Sequence, residues 1–496
     1  MKGRIMNHET ITSPTDFLSE MLPDVPNEKR LRDYQAWWQQ TGLPISEAVD
    51  RAGTPWLRMF DRQGTPIDEI CFAPEYWSML YAGYEAGVVW RAFAEDSLIP
   101  ALLFDYIAAF YDIGVVCPYT VSLATALPLA KYGDAALKEN FLPHLLCEDE
   151  SVWQGATWMT EIKGGSDLGA NVETVARRDG DRWLLTGDKY FASNAGAELA
   201  VVAARLDGAP DGVRGLGLFL LPRLREDGTL NYHIRRLKDK IATRSVPTGE
   251  VELRNSEAYL LGEGQGGIYL IMEVLNISRV ANSIGAVALA QRAISEAYTF
   301  AHERVAFGKP IIEHPLMRQQ FAQRAGDLQR AFALAWEALL LLDEVRHETA
   351  PYSDRFHLCR LMIHLAKYWT AEVAVQTAKW AMEVNGGMGV LAEYHVERLL
   401  REAMIIDIWE GPPHRQILDA LEVIERKQAH KLLLDHLAPH VDESDTLAMT
   451  ARIETHLKLD SDDKEAQAQG LIDTIAEFTA RILLRRATPQ VKHSIR

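Results

Sequence analysis

Cysteine is scarce in this chain: its 496 residues hold four, Cys71, Cys117, Cys147 and Cys359, far apart and without a CxxC pair. Neither a disulfide framework nor a cysteine-built metal cage is indicated, and the four read as reduced core thiols. No apolar run reaches the roughly eighteen residues of a membrane span, and Met1–Thr15 lack the apolar core of a secretory leader. A cytoplasmic protein without a membrane partner is expected. Positive charge is also in deficit, since 52 Lys and Arg against 69 Asp and Glu leave a net charge of -17. Such a chain repels phosphate polymers unless its basic residues gather on one face, so DNA is not expected as a partner. A Walker lysine motif, internal repeats and low-complexity tracts are missing as well. What is present, 48% apolar and 24% charged residues, suits roughly two to four domains around a large buried core.

The periodicity changes along the chain. Residues 1–150 read mostly as helices, with apolar faces such as Tyr76 to Trp90 and Leu98 to Tyr111. Over residues 151–267 short strand-like runs alternate with turns at Asp179-Gly180, Asp207-Gly208, Asp211-Gly212 and Asp227-Gly228, the pattern of a compact antiparallel sheet or barrel. Residues 268–426 return to helix, with Val280, Ile284, Val287, Ile294 and Ala301 on one stripe of a long helix that stops near Phe307-Gly308. Further helices are predicted over about Pro315 to Arg346 and Asp354 to Val384, the latter closed by Asn385-Gly386-Gly387. Residues 427–496 read as a helical extension with an acidic middle and a last helix from about Ala466 to Arg486.

Several short segments could carry chemistry, each with a plainer explanation beside it. In Met159-Thr160-Glu161-Ile162-Lys163-Gly164-Gly165-Ser166-Asp167 the glycines would let backbone approach a planar ring or a phosphate, and Thr160 and Ser166 offer hydroxyls. A glycine turn alone is usually just a loop. Phe191 could stack on a ring and Ser193 donate to it, or the pair could be a core aromatic beside a polar turn. Arg304 and Phe307 place a cation and an aromatic at a helix end, where a pyrophosphate could be held, although a surface arginine is the commoner case. Arg279 is ordinarily a solvated cation, yet it precedes a very apolar helix. Gly262 to Gly267 form a nominal GxGxxG with no βαβ pattern around it, and so read as a linker. In Ile408-Trp409-Glu410-Gly411 a carboxylate sits between an indole and a glycine, where desolvation would favour a general base. A partly exposed glutamate remains the plain alternative.

Taken in order, TEIKGGSD, KYFASN, RVAFGK, GGMG and WEGPP resemble the successive motifs of the acyl-CoA dehydrogenase superfamily, over roughly Leu98 to Ile424. Arg236-Leu237-Lys238-Asp239-Lys240-Ile241, Thr243-Arg244-Ser245 and Ala381-Met382-Glu383-Val384 look like its AidB-like branch, which also has a helical C-terminal extension. The resemblance implies an α+β fold: an N-terminal helical domain, a middle antiparallel β domain, a C-terminal four-helix-bundle domain and the extension. It implies FAD, bound between the β domain and the second helical domain against Met159, Thr160, Gly165, Ser166, Phe191 and Ser193, with Ser193 near flavin N5. Arg304, Phe307, Glu383, Gly386 and Gly387 are carried over as contacts to the FAD of a neighbouring subunit, in a homo-oligomer that is a dimer or a tetramer. No metal is implied.

The implied chemistry is α,β-desaturation of an acyl-CoA or related thioester, with Glu410 as base, and Ser166, Arg279 and Gly411 on the substrate side. Electrons would pass to an electron-transfer flavoprotein. Some branches place the base just before the arginine of the long helix, here Ser278, whose hydroxyl cannot do a carboxylate's work. Two departures stand out: Pro412-Pro413-His414 follow Glu410-Gly411 where common members have Thr or Ser and then a Gln or Asn, the prolines removing two amide donors, and Ile162-Lys163 replace a common Pro-Gly. Two other functions compete with the dehydrogenase. One is an AidB-like stress or DNA-alkylation-response flavoprotein with weak dehydrogenase activity, its DNA contact placed at Arg481 to Arg496, which hold five Lys or Arg and no acid. The other is a flavin-dependent oxidase.

Overall fold

The computed structural model describes residues 8–264 and 266–487. The chain divides into two compact units, one running from Asp33 to Ala281, the other joining the segment up to Arg32 to everything from Asn282 onward.

In the first unit, capping residues set where the helices begin. Ser97 accepts from the Ile99 amide at 3.2 Å and opens the helix Leu98–Tyr111. Asp112 then ends that helix and caps the next, Ile113–Tyr132, by accepting from the amides of Gly114 and Val115 at 2.7 and 3.2 Å. Its second carboxylate oxygen takes the Ser46 hydroxyl at 2.6 Å, so this buried cap is satisfied. Among the described residues two helices, Ile113–Tyr132 and Gly267–Glu303, are long and apolar enough to cross a membrane, but 83% and 78% of their most apolar windows are buried in the fold, as core helices are. The helical reading of this region misses one hairpin, β1 (Trp56–Phe60) with β2 (Pro66–Cys71).

Beyond it lie β3 (Gly155–Trp158), β4 (Val175–Asp179), β5 (Arg182–Ser193), β6 (Leu199–Leu206), β7 (Leu216–Pro222), β8 (His233–Leu237) and β9 (Thr248–Leu261). Strands β4, β5, β9, β7 and β6 pair in turn and β6 closes back on β4, making a small barrel with β3 and β8 appended. The expected turn at Asp179-Gly180 joins β4 to β5. The sheet is mixed, not wholly antiparallel, because β6 runs parallel to β3 and β4. Small residues fill the interior, Ala156, Ala176, Ala192, Ala200 and Ala204, around Trp158, Phe219 and Tyr232.

The second unit is helical. The helix Gly267–Glu303 begins in the first unit and crosses the division at Ala281; every residue from Asn276 to Ser295 is buried, where the spacing predicted a single stripe, and Arg279 is 4% exposed, not a solvated cation. Gln291 on this helix donates to the carbonyls of Thr10 and Ile11 at 3.0 and 3.3 Å, which ties the N-terminal segment to this unit. The helices Pro315–Val345 and Asp354–Asn385 begin where the sequence predicts, and Ser353 caps the second. They pack on each other, and the second also packs on Val396–Ile408 and Pro413–Lys427. The long helix stops at Glu303, before a miniature hairpin of β10 (Val305–Ala306) and β11 (Lys309–Pro310).

The extension is helical through Ala468–Ala487. A buried carboxylate anchors it: Glu337 on Pro315–Val345 accepts from His436 Nε2 at 2.6 Å and from the Arg486 guanidinium. Burial raises the Glu337 pKa, yet His436 and Arg486 outweigh it and hold the carboxyl below its usual range. Cys117 and Cys359 are buried free thiols; Cys71 and Cys147 are partly exposed, so only two of the four belong to a core.

Candidate active site

On the barrel, the loop from Met159 to Thr174 is pinned by one carboxylate. Glu161 is 4% exposed and accepts from Lys189 Nζ and the Thr174 hydroxyl, both at 2.6 Å, and from the Glu173 amide at 2.7 Å. Lys189 spends a second proton on the Ala203 carbonyl at 2.7 Å. Burial raises the Glu161 pKa, but Lys189 and the other donors more than reverse this and keep it ionised below its usual range. Glu161 lies inside TEIKGGSD and Lys189 inside KYFASN, and neither stands out in the sequence as a site residue.

That clamp shapes the exposed face. The Thr160 carbonyl accepts from the Tyr190 amide at 3.1 Å, which lays the loop along β5. A Cβ on Gly165 would lie 2.4 Å from Thr160 Oγ1, so the close approach requires glycine there. Met159 is buried, Thr160 and Gly165 are half-buried, and Ser166 is exposed. Asp167 caps the short turn of helix Leu168–Asn171.

A bulge aims the neighbouring strand. In the pairing of β5 with β9 the register slips between Lys189 and Ala192, so both of these turn inward although three positions apart. Phe191, 54% exposed, turns outward. Ser193 is half-buried, its carbonyl takes the Trp158 indole N–H at 2.9 Å, and its hydroxyl lies 3.3 Å from that of Thr248. Met159, Thr160, Gly165, Phe191 and Ser193 thus gather at this edge of the barrel. In the same unit Ser278 is buried and its hydroxyl donates to the Val274 carbonyl at 3.4 Å.

In the helical unit, RVAFGK forms the hairpin. Phe307 and Gly308 both have positive φ, 51° and 82°, as a two-residue turn of this hand requires. Phe307 is 96% exposed at its tip, and Arg304 is exposed at its base. Glu383 pairs with Lys379 on the exposed end of the helix Asp354–Asn385. Gly386, at φ 58°, caps that helix, and an added Cβ on Gly386 or Gly387 would have nothing within 4 Å.

Glu410 stands in the turn between Val396–Ile408 and Pro413–Lys427 at φ 58°, followed by Gly411 at 105°. A non-glycine residue there stores strain that its surroundings must hold. Lys367, fully buried, donates to the carbonyls of Asp407 and Gly411 at 2.7 and 2.8 Å. Gln416, also fully buried, donates to the carbonyls of Glu410 and Gly411 at 2.9 and 3.2 Å, and its own carbonyl meets His364 Nδ1 at 2.9 Å. Pro413 occupies the first turn of the next helix, where no amide is needed, so the two prolines start that helix without breaking the loop. A second carboxyl lies three residues earlier: burial raises the Asp407 pKa, with Lys367 opposing. Lys367, Gln416, His364 and Asp407 escaped the sequence reading because their only signal is proximity across the helices.

Models of three known domains match the chain: the adaptive response protein AidB N-terminal domain over residues 20–150, the acyl-CoA dehydrogenase middle domain over 156–256 and the acyl-CoA dehydrogenase C-terminal domain over 265–424. The chain is 30% identical to AidB of Escherichia coli (strain K12) over 409 residues, 78% of its own length and 73% of that protein's. It is 32% identical over 391 residues to acyl-CoA dehydrogenase family member 11 of Caenorhabditis elegans, covering 75% of this chain and 63% of that longer protein. The structure is similar to that of Caenorhabditis elegans ACDH-11 in complex with C11-CoA, with a TM-score of 0.83 and 25% identity over 98% of this chain and 89% of the other.

Proposed function

Because this chain belongs to the acyl-CoA dehydrogenase family and carries the AidB type of N-terminal domain, we propose that it desaturates an acyl-CoA thioester between its α and β carbons, with FAD as cofactor. The barrel edge fits a flavin. Gly165 leaves room beside Thr160, Ser193 supplies a hydroxyl, and Phe191 offers an exposed aromatic face on which a planar ring can stack. Arg304, Phe307, Glu383, Gly386 and Gly387 are assigned to the FAD of a neighbouring subunit in a homo-oligomer. Their exposure within a single chain supports that assignment.

The Glu410 turn carries the proposal. An α hydrogen of a thioester is weakly acidic, so a carboxylate must be held where it can take the proton, without freedom to swing away. Lys367 and Gln416 fix the carbonyls on both sides of Glu410 and so hold its backbone in the strained conformation. FAD, when bound, is the acceptor of the hydride that leaves the β carbon. Ser166, Arg279 and Gly411 are assigned to the substrate side, and an electron-transfer flavoprotein to reoxidation. ACDH-11 was solved with an acyl-CoA, which supports that substrate class here.

The test is anaerobic mixing of the FAD-loaded protein with short, branched, aromatic and long acyl-CoAs, for wild type and Glu410→Gln. Wild type bleaches the flavin with at least one of them, and the variant binds FAD but bleaches about 10²–10⁴-fold more slowly. Bleaching at the wild-type rate in Glu410→Gln sinks the assignment of the base. Oxygen uptake without an added acceptor would mark an oxidase.

A further inference from the structure

The segment Arg236 to Ile241, set apart in the sequence as branch-specific, reaches the same two residues that the proposed function assigns to the flavin. Lys238 and Lys240 lie two positions apart along the edge of the barrel. Lys238 Nζ sits 3.2 Å from the ring centroid of Tyr190 and 4.8 Å from that of Phe191, and it pairs with Glu250 at 2.6 Å. Lys240 takes a different course. Its ammonium donates to the Val246 carbonyl at 2.9 Å and to Thr248 Oγ1 at 3.0 Å, and no ion pair to it occurs among the described residues. Thr248 is the cross-strand partner of Ser193, and their hydroxyls are 3.3 Å apart.

Donor chemistry gives this chain of groups a direction. An ammonium can only donate, so the Thr248 oxygen accepts from Lys240 and its own proton is free for Ser193 Oγ. Once Ser193 Oγ has accepted, its proton points away from Thr248, toward solvent or toward an acceptor that a ligand brings, such as a flavin nitrogen. Cooperative polarisation along such a chain strengthens the last bond. A desolvated cation without a carboxylate is also costly unless negative charge arrives nearby, and a flavin gains negative charge on reduction. Burial pushes the Lys240 pKa down to about 8, with Cys117 opposing, so the ammonium stays mostly charged at neutral pH.

We propose that Lys240 is a positioning residue which, through Thr248, orients the Ser193 hydroxyl outward and so makes the bound flavin easier to reduce. The inference rests on the reading that Ser193 faces FAD. Its test is the midpoint potential and absorption spectrum of the bound flavin in the full-length wild type, Lys240→Met, Thr248→Val and Thr248→Ser, each first titrated with FAD. Lys240→Met and Thr248→Val should bind FAD with an altered spectrum and with at least tenfold less favourable reduction, about 30 mV for a two-electron couple. Thr248→Ser keeps the hydroxyl and should behave as wild type. Flavin-loaded Lys240→Met and Thr248→Val with wild-type potential and spectrum would overturn the role of Lys240. If Lys240→Met does not fold, Thr248→Val alone decides, since it is nearly isosteric. Failure of the wild type to take up FAD would instead overturn the function on which the inference rests.

Discussion

Glu161 and Lys189 show how one pair can fix a site without touching the chemistry. Each stands inside a motif visible in the sequence, yet they are 28 positions apart and meet only because the loop after β3 lies along β5. No local pattern announces such a pair, and so the reading of the motifs passed over both. Removing one partner of a buried ion pair strands the other, at a cost of about 3–5 kcal/mol. Glu161→Gln should therefore lower stability by that order in thermal or denaturant unfolding, and weaken FAD binding through the loosened Thr160 loop. The sign with pH follows from the depressed Glu161 pKa. Its contribution is complete above the ordinary value of 4.5 and is lost as pH falls through the lower folded value. The stability gap between wild type and variant should narrow on acidification, and a gap independent of pH would contradict the pairing.

At the scale of elements, helix bounds were legible where caps and prolines punctuate the chain. The starts read at Leu98, Pro315 and Asp354 are those of the structure, where Ser97 and Ser353 cap the first and the third. Features produced by pairing were less so: the bulge between Lys189 and Ala192, the parallel partners of β6, and the β1–β2 hairpin within a helical region. Lys367 is a similar case. A lysine in a helix reads as solvated, but here it is fully buried and holds the far side of the Glu410 turn. Lys367→Met leaves the carbonyls of Asp407 and Gly411 without this donor, at about 1–3 kcal/mol for each left unsatisfied. The expected outcome is a turn that no longer holds Glu410: kcat falls with acyl-CoA while FAD affinity in titration is unchanged. Loss of FAD binding with normal turnover per bound flavin would show that the helix serves the cofactor instead.

For the whole molecule, the order of helices, sheet and helices was readable from periodicity, and the two compact units were not. Net charge weighs on the competing DNA function. Of the five basic residues from Arg481 to Arg496, Arg486 is engaged by the buried Glu337, while Lys492 and Arg496 lie outside the described residues. An electrophoretic shift with duplex DNA should show no specific complex even at low salt. A complex whose affinity falls steeply with salt would instead restore a DNA role. The central claim of the desaturase reading is which group removes the α proton. The most direct measurement is exchange of the α hydrogen of an acyl-CoA with deuterated solvent, followed by mass or NMR, in wild type, Glu410→Gln and Asp407→Asn. The account predicts exchange in wild type and in Asp407→Asn and none in Glu410→Gln. Exchange that persists in Glu410→Gln and disappears in Asp407→Asn would contradict it.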